Sequence, residues 1–169
     1  GTAVGNYLRF VSAEATASTS PEQGWKVDIQ QVATRAKKTG SIAININNIR
    51  NGLQIVLNEG GRNLNLNTKD GRLGQEIEQL IKNADQDRLL FPQAEISSQL
   101  GELIIFALSQ AAEESGLDLY IAETPDNKLL VQHNKFGNSA SFSVTSSVAG
   151  ILSDDANIAQ KSESGKNIE

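Results

Sequence analysis

Apolar and polar residues alternate with a period of two along much of this chain, and the period lengthens to three or four across its centre. Trp25, Val27 and Ile29 fall on one side of an extended segment and Lys26, Asp28 and Gln30 on the other, the pattern of a half-buried strand. Residues 33–40, with Arg35, Lys37 and Lys38, read as a basic loop or a short turn of helix. Ile42, Ile44 and Ile46 alternate with Ala43, Asn45 and Asn47, so residues 41–49 are expected as a second strand. Asn51-Gly52 follows. A type I′ turn needs positive φ at both central residues, so this pair predicts a hairpin in which residues 53–57 pair back. Residues 58–62 form a further turn, and Leu64 and Leu66, set between Asn63, Asn65 and Asn67, predict a third strand.

From Leu73 the spacing changes. Leu73, Ile77, Leu80, Ile81 and Ala84 mark one stripe of a helix that Asp70 could cap. A second helix is expected from the caps Ser97 and Ser98 to Gly116, with Leu100, Leu103, Ile104, Ala107, Leu108 and Ala111 on one face and Ile105 and Phe106 widening it. So wide a face must lie between two apolar surfaces or serve a partner. Residues 117–122 alternate again, residues 124–128 are turn chemistry, and residues 129–133 form the returning strand, with His133 at its end. Phe136-Gly137-Asn138-Ser139 turns the chain, and Phe142 and Val144 share a face in the last strand of this meander.

The expected fold class is α+β: antiparallel hairpins and a meander over residues 25–67 and 117–145, with two helices packed on the sheets. Residues 1–24, with a short strand at Tyr7-Leu-Arg-Phe-Val11, lead into a domain over residues 25–152, which could split near residues 85–97. Residues 153–169 are too poor in apolar groups to offset their ordering entropy alone and read as a flexible polar tail.

Composition narrows the function. The 169 residues are 38% apolar, but only 5% aromatic, so the core is aliphatic. Asn, Gln, Ser and Thr together account for 51 of the 169 positions, which favours a surface or assembly module over a compact metabolic enzyme. Net charge is -5, which speaks against nucleic acid as a partner. No run approaches the roughly 20 apolar residues of a membrane span. The chain starts at Gly1 and contains no Met, and it is read as a piece of a longer protein.

Candidate chemistry is sparse. Cys is absent, which removes disulfides, thiolate metal sites and thiol nucleophiles. His133 is the sole His and has no Ser, Asp or Glu at a diagnostic spacing, so it reads as an edge or turn residue. Asn83, Asp85 and Asp87 start like a calcium loop, but Arg88 stands where that loop needs Gly and Ala94 where it needs an acid. Glu113-Glu114 and Asp154-Asp155 are adjacent acids whose side chains diverge. Gly60-Gly61 and Gly71-Arg-Leu-Gly74 complete no phosphate loop, and no Asn-x-Ser/Thr sequon occurs. No catalytic, cofactor-binding or metal-ligating residue is assigned, and no cofactor is expected. A glycan hydrolase would need two carboxylates roughly 5–10 Å apart across a cleft.

One arrangement has a known counterpart. Trp25-Lys-Val-Asp-Ile-Gln-Gln-Val-Ala33, after Gly24 and the Ala/Ser/Thr-rich residues 12–20, resembles a strand of flagellar filament-capping proteins of the hook-associated family. Asn51-Gly-Leu-Gln-Ile-Val-Leu57, the helix of residues 73–84, Lys128-Leu-Leu-Val131, Gly137 and Ser141-Phe-Ser-Val144 are similar to the hook IN motif of that family, which runs strand, helix, two strands. Ile81-Lys82-Asn83-Ala84 matches its Ile-Asn-x-Ala with one residue inserted. The chain departs from the pattern in carrying a second helix within residues 85–116. The resemblance touches most of residues 12–152. It implies a non-catalytic structural module of an extracellular axial protein, the filament cap, with copies of itself and flagellin as partners and no membrane insertion. It places contact surfaces on sheet faces and edges at residues 42–57 and 129–144, and implies that the isolated piece is monomeric or weakly oligomeric. The alternatives are a surface-exposed insert of a flagellin and, from another class, a bacterial adhesin or carbohydrate-binding module.

Overall fold

The inward positions of the alternating segments are buried together: Ile55 and Leu57, Leu64, Ile121, Leu129 and Val131, Phe142 and Val144 join one aliphatic core. The computed structural model describes residues 30–168. In chain order they form β1 (Arg35–Thr39), α1 (Ile46–Ile49), β2 (Gln54–Glu59), β3 (Arg62–Asn67), α2 (Gly71–Gln86), α3 (Gln93–Glu114), β4 (Leu119–Glu123), β5 (Leu129–Phe136), β6 (Phe142–Ser146) and β7 (Gln160–Lys161). The strands make two antiparallel sheets, ordered β1-β5-β4 and β3-β2-β6-β7, so the fold is α+β. The strands expected at Tyr7-Leu-Arg-Phe-Val11 and from Trp25 to Ile29 lie outside the described residues.

The longest helix, α3, supplies the spine of the core. Ile96, Leu100, Ile104, Leu108 and Ala112 recur every fourth residue and all are buried. Truncating one of the Leu or Ile side chains to Ala would cost about 2–5 kcal/mol. The helix closes with a Schellman turn: Gly116 (φ 67°) sends its N–H to Glu113 C=O, and Leu117 N–H reaches Ala112 C=O at 2.9 Å. Its start is earlier than expected. Pro92 occupies the N-cap with extended ψ and ends the preceding turn, so Ser97 and Ser98 sit inside the helix. Asp70 does stand at the N-cap of α2, although its side chain makes no capping hydrogen bond.

Three local expectations are corrected. Residues 33–40, expected as loop or helical turn, contain β1, which pairs with β5. Residues 41–49 are not a strand: Ser41 and Ile42 give their N–H groups to Gly150 C=O, Ile44 gives its own to Asn127 C=O, and Asn45 then caps α1 by accepting from the amides of Asn47 and Asn48. Asn48 returns the bond to the Asn45 N–H, completing a capping box, so Ile46 and Ile49 are buried at helical spacing. Asn51-Gly52 therefore leaves a helix instead of closing a hairpin, and Asn51 keeps negative φ. The hairpin turn with both central φ positive is Gly60-Gly61 (57° and 78°), between Glu59 and Arg62 of β2 and β3.

The strands also partner differently from the expected grouping. β1 joins β5 and β4, while β6 leaves that meander after Gly137 (φ 99°) and pairs with β2. Each sheet thus draws strands from both halves of the chain, which welds the halves into one core. The segment expected as a polar tail runs along both sheets: β7 extends β6, Glu163 bridges Lys37 of β1, and Ser153 and Ser162 are buried.

Candidate functional site

Two polar side chains continue apolar stripes into the interior. On β2, Glu59 follows Ile55 and Leu57 in phase, and on β5, His133 follows Leu129 and Val131. The two meet between the sheets, with His133 Nε2 3.3 Å from Glu59 Oε1 and His133 only 3% exposed. The Nδ1 atom accepts the Lys135 backbone N–H at 3.0 Å, so in the neutral ring Nε2 carries the proton and donates to Glu59. Glu59 Oε2 accepts the Asp118 N–H at 3.1 Å. Asp118 in turn takes Lys135 Nζ at 3.0 Å and Asn134 Nδ2 at 3.1 Å, and Lys135 first, then Asn134, holds its carboxyl below the usual range. His133 is thus an interior residue rather than the edge or turn residue expected. The network's partners are protein atoms on both sheets, and its chemistry is that of a strut.

The acids expected on solvated faces are at the surface and separately engaged. Gln79 donates to Asn83, Asp85 holds a bidentate pair with Arg50 at 2.7 and 2.8 Å, and Asp87 accepts the backbone N–H groups of Leu89 and Leu90. Arg50 accordingly keeps the Asp85 carboxyl below its ordinary value. The three oxygen-bearing side chains of the calcium-like run therefore serve three different contacts. Glu114 accepts from Gln110 one turn earlier, and Asp154 pairs with Lys38 at 2.7 Å, which lowers its pKa. Among the described residues, no group of three or more His, Asp and Glu side chains gathers to hold a metal ion, and no helix is long and apolar enough to cross a membrane.

Glu123 stands apart. Its Oε1 is buried with no hydrogen-bond partner, facing Gly101 of α3, and desolvation, then repulsion from Glu102, pushes its pKa up. It points at a helix backbone, not into a cleft. A cleft of about 480 Å³ beside α2 is lined by charged groups already engaged with one another, Arg50 with Asp85 and Lys69 Nζ with the Arg50 carbonyl.

Of the expected contact surfaces, the edges are displaced. β2 and β5 are interior strands, and among the described residues the outermost strands are β3 and β7 in one sheet and β4 and β1 in the other, β1 being bridged by Glu163 at Lys37. The solvent face of the sheet β3-β2-β6-β7 carries a run of amides and hydroxyls: Gln54 bonds Asn65, and Asn58 bonds both Asn63 and Ser143. The sequence reading missed an apolar tip between the helices, where Leu89 is 96% and Leu90 69% exposed; the signal was two leucines followed by Phe91-Pro92 between helical patterns. Comparison with known protein families, characterised proteins and solved structures finds no match for this chain.

Proposed function

We propose that this chain is a non-catalytic structural module of an extracellular flagellar axial protein, the filament cap, and supports subunit association and flagellin assembly at the filament tip. The observation that carries the reading is that the two ends of the described fold meet at one corner. Thr34 N–H donates to Lys166 C=O at 3.1 Å, Lys166 N–H donates to the Thr34 hydroxyl at 2.9 Å, and Gln31 Nε2 reaches Asn167 C=O at 2.9 Å. A domain whose flanks leave side by side can project from a longer chain without separating the regions that anchor it. That arrangement suits a module carried on the outside of a filament cap. The Asn-, Gln- and Ser-bearing sheet face suits polar, exchangeable contacts rather than a core-like seam. The segments that carry the resemblance lie on β2, α2, β5 and β6 in that chain order, with α3 and β4 set between α2 and β5.

Gold-labelled antibody raised against residues 30–168 tests the reading by electron microscopy of cells. Label at the distal end of each filament is expected. Label along the shaft would replace the cap with a flagellin insert, and label confined to the cell body would replace it with an adhesin.

A further inference from the structure

Two apolar surfaces of the α2–α3 hairpin differ in shape and in charge. One is an open groove of about 710 Å³ between the outer faces of the helices, lined by Leu80, Leu103 and Phe106 with Glu76 and Glu102 beside them; Phe106 is 68% exposed. The other is the tip between the helices, where Leu89 and Leu90 stand in water next to the exposed Arg88. Asp87 Oδ1 accepts the N–H groups of both leucines at 3.0 Å, so the tip has a defined shape and presents its side chains outward. Adjacent large apolar side chains so fully exposed are the mark of a contact surface.

We infer that the leucine tip of one copy of this chain docks into the groove of a second copy, Leu89 and Leu90 against Leu80, Leu103 and Phe106, with Arg88 facing Glu102. The charges argue for the occupant: at the groove Glu76 is paired with Arg72 and Glu102 is left over, while at the tip Asp85 is paired with Arg50 and Asp87 is engaged with the leucine amides, so Arg88 and Glu102 are the complementary pair. The tip cannot fill its own groove. Leu80 lies six residues before the end of α2 at Gln86, about 9 Å along a rigid helix, and the tip projects beyond that end. Since knob and groove are different patches, each copy offers one of each, and the contact runs head to tail and closes into a ring or continues. It goes beyond the cap reading and does not depend on it, because it follows from the surface of this chain alone.

The absence of Cys makes disulfide trapping clean. Leu89→Cys and Gln79→Cys proteins, whose substituted positions are exposed, are checked for native circular dichroism and then oxidised alone and mixed, at concentrations where sedimentation shows association. The expected result is a Leu89-to-Gln79 crosslink in the mixture and a ladder of oligomers from the double variant. Arg88→Glu should weaken association about three- to fivefold, and Glu102→Arg combined with it should restore it. A self-crosslink of Phe106→Cys in place of the mixed crosslink would mean a face-to-face dimer and would overturn the proposal, as would no association at near-millimolar protein. Gold at filament tips without the mixed crosslink would sink this contact and leave the cap reading standing; the crosslink with gold elsewhere would do the reverse.

Discussion

Glu59 on β2 and His133 on β5, 74 positions apart in the chain, meet at 3.3 Å between two sheets that share no strand. Removing one partner leaves the other buried without its hydrogen bond. His133→Phe strands Glu59 Oε1 and also the Lys135 N–H, and should lower the unfolding free energy by about 2–3 kcal/mol in urea. Glu59→Gln keeps an acceptor for Asp118 and should lose about 1 kcal/mol. The double variant Glu59→Leu/His133→Phe should lose less than the sum of its single variants. Additive losses would mean that the two side chains are not coupled.

Glu123 gives a pH dependence of defined sign. Its pKa is raised in the folded state, by desolvation and then by Glu102, so the folded chain holds this proton more tightly than the unfolded chain. The destabilisation is therefore full above the raised value, shrinks as the pH falls through it, and is gone below the ordinary value of 4.5. Glu123→Gln should be the more stable protein at neutral pH and should lose that advantage in acid. Melting temperatures of both proteins across the range check it. An advantage independent of pH would assign the effect to packing.

The sequence is most legible where periodicity and turn chemistry agree. Leu64 and Leu66, the stripe Ile77, Ile81 and Ala84, and the closing Gly116 all fall where their spacing puts them. It misleads where one pattern serves two structures: Ile42, Ile44 and Ile46 alternate like a strand, yet Ile46 and Ile49 are also one helical turn apart, and the Asn45 cap decides between them. Which sheet β1 and β6 join depends on contacts far apart in the chain, which no local window holds. The Glu59–His133 strut was half visible. Ile55, Leu57, Glu59 and Leu129, Val131, His133 each carry a polar residue in the buried phase of a strand, the signature of an interior polar pair, but only the fold shows that each is the other's partner.

Gly40 and Gly60 should respond oppositely to a side chain. A Cβ at Gly40 would lie 2.2 Å from the Ile151 carbonyl oxygen, a backbone atom held within the core, so Gly40→Ala should cost about 1–3 kcal/mol in thermal unfolding. Gly60 has φ 57° and open space around it, and Asn suits the first central position of a type I′ turn. Gly60→Asn should therefore change stability by no more than about 0.5 kcal/mol. A large loss there would contradict the turn assignment.

Ser153 tests the role of the segment beyond Leu152. It is fully buried, donates to Asp155 C=O at 2.7 Å, and accepts the Ser146 N–H at 2.8 Å at the end of β6. Ser153→Ala should cost about 1–3 kcal/mol and speed hydrogen exchange at the Ser146 amide. Unchanged exchange would show that this segment does not hold β6.

The most direct measurement of the proposed assembly role is to replace residues 34–166 by a short turn, joining segments that already meet at Thr34 and Lys166, and to compare flagellin in filaments with flagellin in the culture fluid. The account predicts that the shortened chain is still exported, that filaments stay short or absent, and that flagellin accumulates unassembled in the medium. Filaments of normal length and number, with no flagellin released, would contradict it.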